Sequence, residues 1–469
     1  MQQLSGMDAS FLYSETANAP MHVASLSIYD QSTAPGGKVT FKQILDNIDR
    51  RLHLSRVFRQ KIVPVPMNVD HPYWVEDENF DLEYHVRHIA LPKPGDWRQL
   101  CIQVARLHSR IVDTTRPLWE VYVIEGLDNV EGIPPGSFAL MQKTHHAAVD
   151  GVSGMEILSA LHDQTPDAEP PPRDEQWKGE RVPDDWTLLY RAGINNMMRP
   201  MRFARVWAQT TPALRRAQGQ IARQELRPPS ATIPRTRFNG TVSPHRVVDG
   251  CRFELSDMRA IKSKVDGATI NDGVLATVGG GLRRYLSAKG ELPDQSLVAM
   301  APISVRSERQ MGTAGNQVTG MLVTLGTDIA DPMARLAAVR QSTHDQKQFT
   351  NAIGAGSLTE YSQFMPGGLM ALATRTASQF EMANQNAPAI NTVVTNVPGP
   401  QVPLYFSGAK LITLLGLGPL SDGMGLIHPI TSYCGELVIG FTADREMLPD
   451  PAFYRECLTE SFEEMSKAN

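Results

Sequence analysis

His145-His146-Ala147-Ala148-Val149-Asp150-Gly151 decides the reading of this chain. It puts two imidazoles, a carboxylate and a glycine within one short turn. The residues before it, Phe138 to Thr144, read as a strand. Those after it, Ser153 to Leu161, read as a helix with apolar positions at Met155, Ile157, Leu158 and Leu161. Ser153 and Glu156 fit the S-x-x-E capping box that would start that helix. The motif therefore falls where a strand ends and a helix begins, and side chains there project from a rigid support. Neighbouring strand residues point to opposite faces, so His145 and His146 do different jobs, one toward a cleft and one inward. A neutral imidazole can take a proton at physiological pH. Asp150 at the helix start is favoured by the local dipole, and could hold the loop through an arginine or orient a histidine. Gly151 permits the turn. Two other readings of the same residues stay open. They could be metal ligands, but no second Cys/His cluster completes a set. They could also be a capped turn around a buried histidine.

Further segments narrow the reading. Ser5-Gly6-Met7-Asp8-Ala9-Ser10-Phe11-Leu12 with Glu15, Pro117-Leu118-Trp119, Asn271-Asp272, Pro302-Ile303-Ser304-Val305-Arg306 and Asn396-Val397-Pro398-Gly399-Pro400 occur in that order across nearly the whole chain. The His-His-x-x-x-Asp-Gly signature resembles that of coenzyme-A-dependent acyltransferases of the chloramphenicol acetyltransferase type, which include peptide-synthetase condensation domains. The other segments resemble bacterial wax ester synthase/diacylglycerol acyltransferases, and no signature position departs from the pattern.

The resemblance implies an α/β (α+β) fold of two chloramphenicol-acetyltransferase-like domains, each a mixed sheet with helices, joined by a linker. An active-site tunnel would lie at their interface, with His146 near its centre. It also implies transfer of a fatty acyl group from long-chain acyl-CoA to a fatty alcohol or to diacylglycerol, making wax esters or triacylglycerols. His146 would be the general base. Asp150 would be mainly structural with Arg306 as a partner, and Asn271 would polarise the thioester or position the acceptor. Gly151 and His145 complete the catalytic motif. Acyl-CoA is then a substrate, with no permanently bound cofactor and no metal. No G-x-S-x-G elbow points to an acyl-enzyme. Two alternatives are a carrier-protein-dependent condensation-type transferase and a non-catalytic protein of lipid-droplet surfaces.

The chain has 469 residues, 42% of them hydrophobic, enough for two cores. The net charge of −5 argues against wholesale nucleic-acid binding. Cys101, Cys251, Cys434 and Cys457 form no C-x-x-C pair, which suits a reducing cytoplasm. The N-terminus does not read as a signal peptide, and no apolar run approaches the about 18 residues that span a bilayer. Lipid substrates would be met from a surface, either the inner membrane or a lipid inclusion.

Along the chain, residues 1–162 read as a first mixed unit. It holds a strand over Leu26 to Tyr29, helices over Phe41 to Leu54 and Trp97 to Val112, and a strand over Val121 to Ile124. Trp119 reads as packing. Residues 163–235 are a crossover. Its first part is proline-rich, acidic and extended. Its second part, Trp186 to Ser230, carries eight arginines and one acid, Glu225, interleaved with Trp186, Tyr190, Met197, Met201, Phe203 and Trp207. This composition suits an anionic lipid surface, or else ordinary helices packed on the protein. Pro200 and Pro212 predict a break or kink. Residues 236–469 read as the second unit. Its helix over Ala268 to Leu286 is capped by Thr269 and Asp272, which makes Asp272 a capping residue first. Strands follow over Leu297 to Pro302, Asn391 to Asn396, Leu411 to Leu420 and Leu437 to Phe441, and Pro398-Gly399-Pro400 forms a rigid turn.

Overall fold

The computed structural model describes residues 1–149, 154–173, 177–229, 232–304, 318–353, 364 and 367–468. Asp150, Gly151, Ser153 and Arg306 lie outside them, and so does the Asp150–Arg306 pairing.

The strand Ser137–His145 is buried on both faces, which accounts for the unbroken apolar run Phe138-Ala139-Leu140-Met141 in its first half. Phe138 and Leu140 face a core with Ile44, Ile48, Ile157, Leu158 and Leu161. These come from the helices Phe41–Asp49 and Gly154–Leu161. Ala139 and Met141 face Leu100 and Val104 of the helix Trp97–His108, together with Val248 and Val438 of the second half. The first sheet has six strands in the order Tyr405–Phe406, Ala409–Leu417, His22–Asp30, Ser137–His145, Trp119–Leu127 and Val86–Ala90. The last pair is parallel and the others antiparallel.

The second sheet also has six strands, in the order Val318–Thr324, Val298–Ser304, Thr392–Pro398, Leu426–Tyr433, Glu436–Asp444 and Arg246–Glu254. Thr392–Pro398 pairs in parallel with both its neighbours. Its main core joins the sheet to the helices Leu255–Ser263, Ile270–Lys289, Pro332–Ile353 and Pro451–Lys467 through Leu275, Val278, Leu282, Val339, Leu458 and their neighbours.

The division at residues 236–469 needs a correction. Tyr405–Phe406 and Ala409–Leu417 belong to the first sheet, where Leu415 lies opposite Leu26. After Pro398-Gly399-Pro400 the chain leaves the second sheet and Leu404 donates its N–H to the Tyr433 hydroxyl (2.8 Å). Without the Ala409–Leu417 strand, His22–Asp30 would be an unpaired apolar edge.

The crossover is partly tied to the first unit. Asp163 exchanges both backbone hydrogen bonds with Tyr405 (2.8 Å each). Its carboxylate takes two hydrogen bonds from the buried Arg51 (2.7 and 2.6 Å). Trp177 donates to Glu76 (2.9 Å) under the Arg59 guanidinium. The basic stretch is one helix of 38 residues, Asp185–Ala222, and the predicted break at Pro200 and Pro212 does not occur. Both prolines face solvent, where water can serve the carbonyls that lose their partners.

Candidate active site

The turn after Ser137–His145 is held from two directions. His145 donates its N–H to the Leu118 carbonyl (2.9 Å), and His146 donates its own to the Met21 carbonyl (2.8 Å). Pro117-Leu118-Trp119 is thus the backbone support of the first histidine. Trp119 is 1% exposed, donates through Nε1 to the Phe58 carbonyl (3.0 Å) and stacks on His85. It packs, as its sequence position indicated.

The N-terminal motif closes over this turn. Ser5 caps the helix Gly6–Ser14 by accepting the Asp8 N–H (3.1 Å), and its hydroxyl donates to the Asp8 carboxylate (2.5 Å). Leu4, Ala9 and Tyr13 pack with Leu118, Ala147 and Ala148. Glu15, just past the helix, accepts the Met21 N–H (2.9 Å). The same oxygen lies 3.5 Å from His145 Nε2.

The two histidines have separate environments. His145 is fully buried, and its Nδ1 accepts the Ala147 N–H (3.1 Å), so its proton sits on Nε2, on the Glu15 side. His146 opens the following 3-10 turn and is half-buried. Its Nδ1 is enclosed without a hydrogen-bond partner, and Nε2 makes no hydrogen bond among the described residues. The ring of Phe11 lies flat against it, centroids 3.8 Å apart and planes 13° apart. Burial pushes the His146 pKa down to about 4, opposed by a contact of the ring with its own backbone carbonyl and aided by His145. The imidazole is therefore neutral at physiological pH and able to accept a proton.

Phe11 also packs against a cluster that holds Met21, Val393 and Ile427, from both halves, and Met300 packs against the same cluster. His146 thus sits where the two sheets approach one another. A cavity of about 260 Å³ lies on the Met300 face of the second sheet, lined by Val298, Leu322, Thr324, Ser342, Gln346 and Arg227 among others. Neither histidine lines it.

The other sequence candidates separate into two kinds. Asp272 is a cap: its carboxylate accepts from Thr269 N–H (2.8 Å) and from the hydroxyls of Thr269 (2.7 Å) and Thr343 (2.6 Å). Asn396 lies on the strand Thr392–Pro398, and the Pro398-Gly399-Pro400 turn is stitched by Gly399 N–H to Ser432 carbonyl (2.9 Å). These residues redirect the chain between sheets. Asn271 is different. It is half-buried in the first turn of Ile270–Lys289, and its side chain makes no hydrogen bond among the described residues, to His146 or to any other. Among those residues no group of His, Cys, Asp and Glu could hold a metal ion. Phe11 and Glu15 were present in the N-terminal motif, but their local sequence gives no sign that they reach the histidines.

The molecule is two mixed sheets that share a crossover segment, with a histidine turn where they meet. The solved wax ester synthase/diacylglycerol acyltransferase from Marinobacter aquaeolei VT8 superposes with a TM-score of 0.68 at 26% identity, covering 99% of this chain and 98% of that one. The O-acyltransferase WSD of Acinetobacter baylyi is 34% identical over 464 residues, 96% of this chain and 93% of its own. A Mycobacterium tuberculosis protein provisionally named a diacylglycerol O-acyltransferase is 34% identical over 450 residues, 96% of this chain and 87% of its own. The wax ester synthase/diacylglycerol acyltransferase catalytic domain matches residues 4–274, and the WS/DGAT C-terminal domain matches residues 314–466. The chain belongs to the wax ester synthase/diacylglycerol acyltransferase family and is an O-acyltransferase.

Proposed function

We propose that His146 is the general base of an acyl transfer from long-chain acyl-CoA to the hydroxyl of a fatty alcohol or diacylglycerol. The observation that carries this reading is the neutral His146 ring with an uncommitted Nε2 at the meeting of the two halves. The acceptor hydroxyl loses its proton to Nε2 as its oxygen attacks the thioester carbonyl. The tetrahedral adduct then collapses, the C–S bond breaks, and the proton passes to the departing CoA sulfur. The ester and CoA thiol are the products, acyl-CoA is a substrate, and no permanently bound cofactor takes part. His145 holds the turn in register, and Asn271 polarises the thioester oxygen or positions the acceptor.

The lipid acceptors would be met at an anionic membrane or lipid-inclusion surface. No helix among the described residues is long and apolar enough to cross a membrane. In Asp185–Ala222 the residues Trp186, Tyr190, Ile194, Met197 and Met201 recur at spacings of three and four, and all are exposed, Trp186 to 81%. The buried Leu188 and Ala192 each follow an exposed member by two positions, about 200° around the helix. The apolar stripe therefore faces away from the protein, and arginines flank it, which is the composition of an interfacial helix.

The test is release of CoA thiol from palmitoyl-CoA with and without hexadecanol or diacylglycerol. Acceptor-dependent release should fall about 10²–10⁴-fold in His146→Ala. Equal activity in parent and variant would sink the base assignment. Sedimentation with phosphatidylglycerol vesicles should weaken in Trp186→Ser/Tyr190→Ser and in Arg202→Glu/Arg205→Glu, and unchanged binding in both would remove the membrane role.

A further inference from the structure

A base needs its ring held as well as its proton affinity set. The χ2 torsion of a histidine is broad, so hydrogen bonds to the ring nitrogens usually fix it. His146 has neither: Nδ1 is enclosed without a partner, and Nε2 is uncommitted among the described residues. What remains is the Phe11 ring, lying nearly parallel to the imidazole at 3.8 Å. Phe11 is itself placed by a helix whose start is fixed by the Ser5 cap and whose buried side packs Ala9 and Tyr13 on Ala147 and Ala148. The chain just beyond that helix is tied by Glu15 to Met21, whose carbonyl holds the His146 N–H. The N-terminal segment thus grips both the backbone and the ring of the same residue.

We propose that Phe11 is a positioning residue for His146, its flat face setting the plane of the imidazole so that Nε2 addresses the acceptor hydroxyl. The inference rests on His146 being the base. It assigns a chemical purpose to an aromatic side chain that packing alone would not require to be planar.

The test compares Phe11→Leu, Phe11→Tyr and His146→Ala in the CoA-release assay, with thermal unfolding as the control for folding. Leucine keeps an apolar side chain but removes the flat face. Phe11→Leu should unfold within a few degrees of the parent and lose about 10–100-fold in kcat, with KM for both substrates nearly unchanged. Its acid limb in kcat should move up in pH as water reaches the ring. Phe11→Tyr should restore kcat and the pH profile. Should Phe11→Leu fail to fold, Phe11→Met fills the space with a flexible chain and serves the same comparison. Parental kcat and pH profile in the folded variant, with His146→Ala inactive, would overturn the positioning role and leave the base intact. An active His146→Ala would overturn both.

Discussion

A Leu415 methyl carbon lies 2.6 Å from where a Cβ on Gly440 would stand, and 2.7 Å from the equivalent point on Gly250. Leu415 is on the strand that crosses into the first sheet, whereas both glycines are on paired strands of the second. The two sheets meet closely here because two side chains are missing. Gly440→Ala should therefore destabilise by about 1–3 kcal/mol through overpacking. Leu415→Ala in the same chain should recover part of the loss. Urea unfolding of the four proteins of this double-mutant cycle measures the coupling, and additive effects would contradict the direct contact.

Asn271 and Asp272 are adjacent and should behave oppositely. Asp272→Ala removes the partner of Thr269 N–H and of two hydroxyls, at a cost of about 1–2 kcal/mol. Its Tm should fall while the remaining folded enzyme keeps most of its kcat. Asn271→Ala disturbs no hydrogen bond among the described residues, so its Tm should hold while kcat drops about 10²–10³-fold if it serves the thioester oxygen. Paired melting and kinetic measurements decide between them.

Acid should weaken the fold well before carboxylates are protonated. Burial lowers the pKa of His162 to about 4, of His108 and His428 to about 3, and of His22 well below its usual value. Unfolded, each titrates near ~6.5 and binds a proton that the native protein refuses. The unfolded state thus holds more protons below that pH, so stability is complete above about 6.5 and declines as pH falls toward 4. Tm followed from pH 8 to pH 4.5 should show this slope, and His428→Phe should reduce it.

Lys143, fully buried two residues before His145, donates to the Arg110 carbonyl (2.7 Å) and to Glu120 (3.2 Å). Burial lowers its pKa and Glu120 opposes that shift. Glu120→Ala strands the ammonium and should cost about 3–5 kcal/mol, whereas Lys143→Met with Glu120→Leu should restore much of it. Chemical denaturation of the single and double variants provides the comparison.

The Thr269–Asp272 box, the Ile270–Lys289 helix and the strand before His145 were legible because their signals are local: a cap acts over three residues and amphipathic periodicity over a few turns. The helix at Phe41 stops at Asp49 instead of Leu54, and Arg51 beyond it turns inward to Asp163, a partner with no local signal. The prolines of Asp185–Ala222 predicted a break because the sequence does not say that they face solvent.

The sequence by itself determined the order of motifs, the periodic elements and the position of the histidine turn at a strand end. Tertiary structure decided which sheet the Ala409–Leu417 strand joins, which histidine is sealed by Glu15, and which has Phe11 against its ring. An apolar strand satisfies the edge of either sheet equally well. Adjacent side chains at a strand end exchange faces with a one-residue change of register. Only the packed partners, distant along the chain, remove those degeneracies.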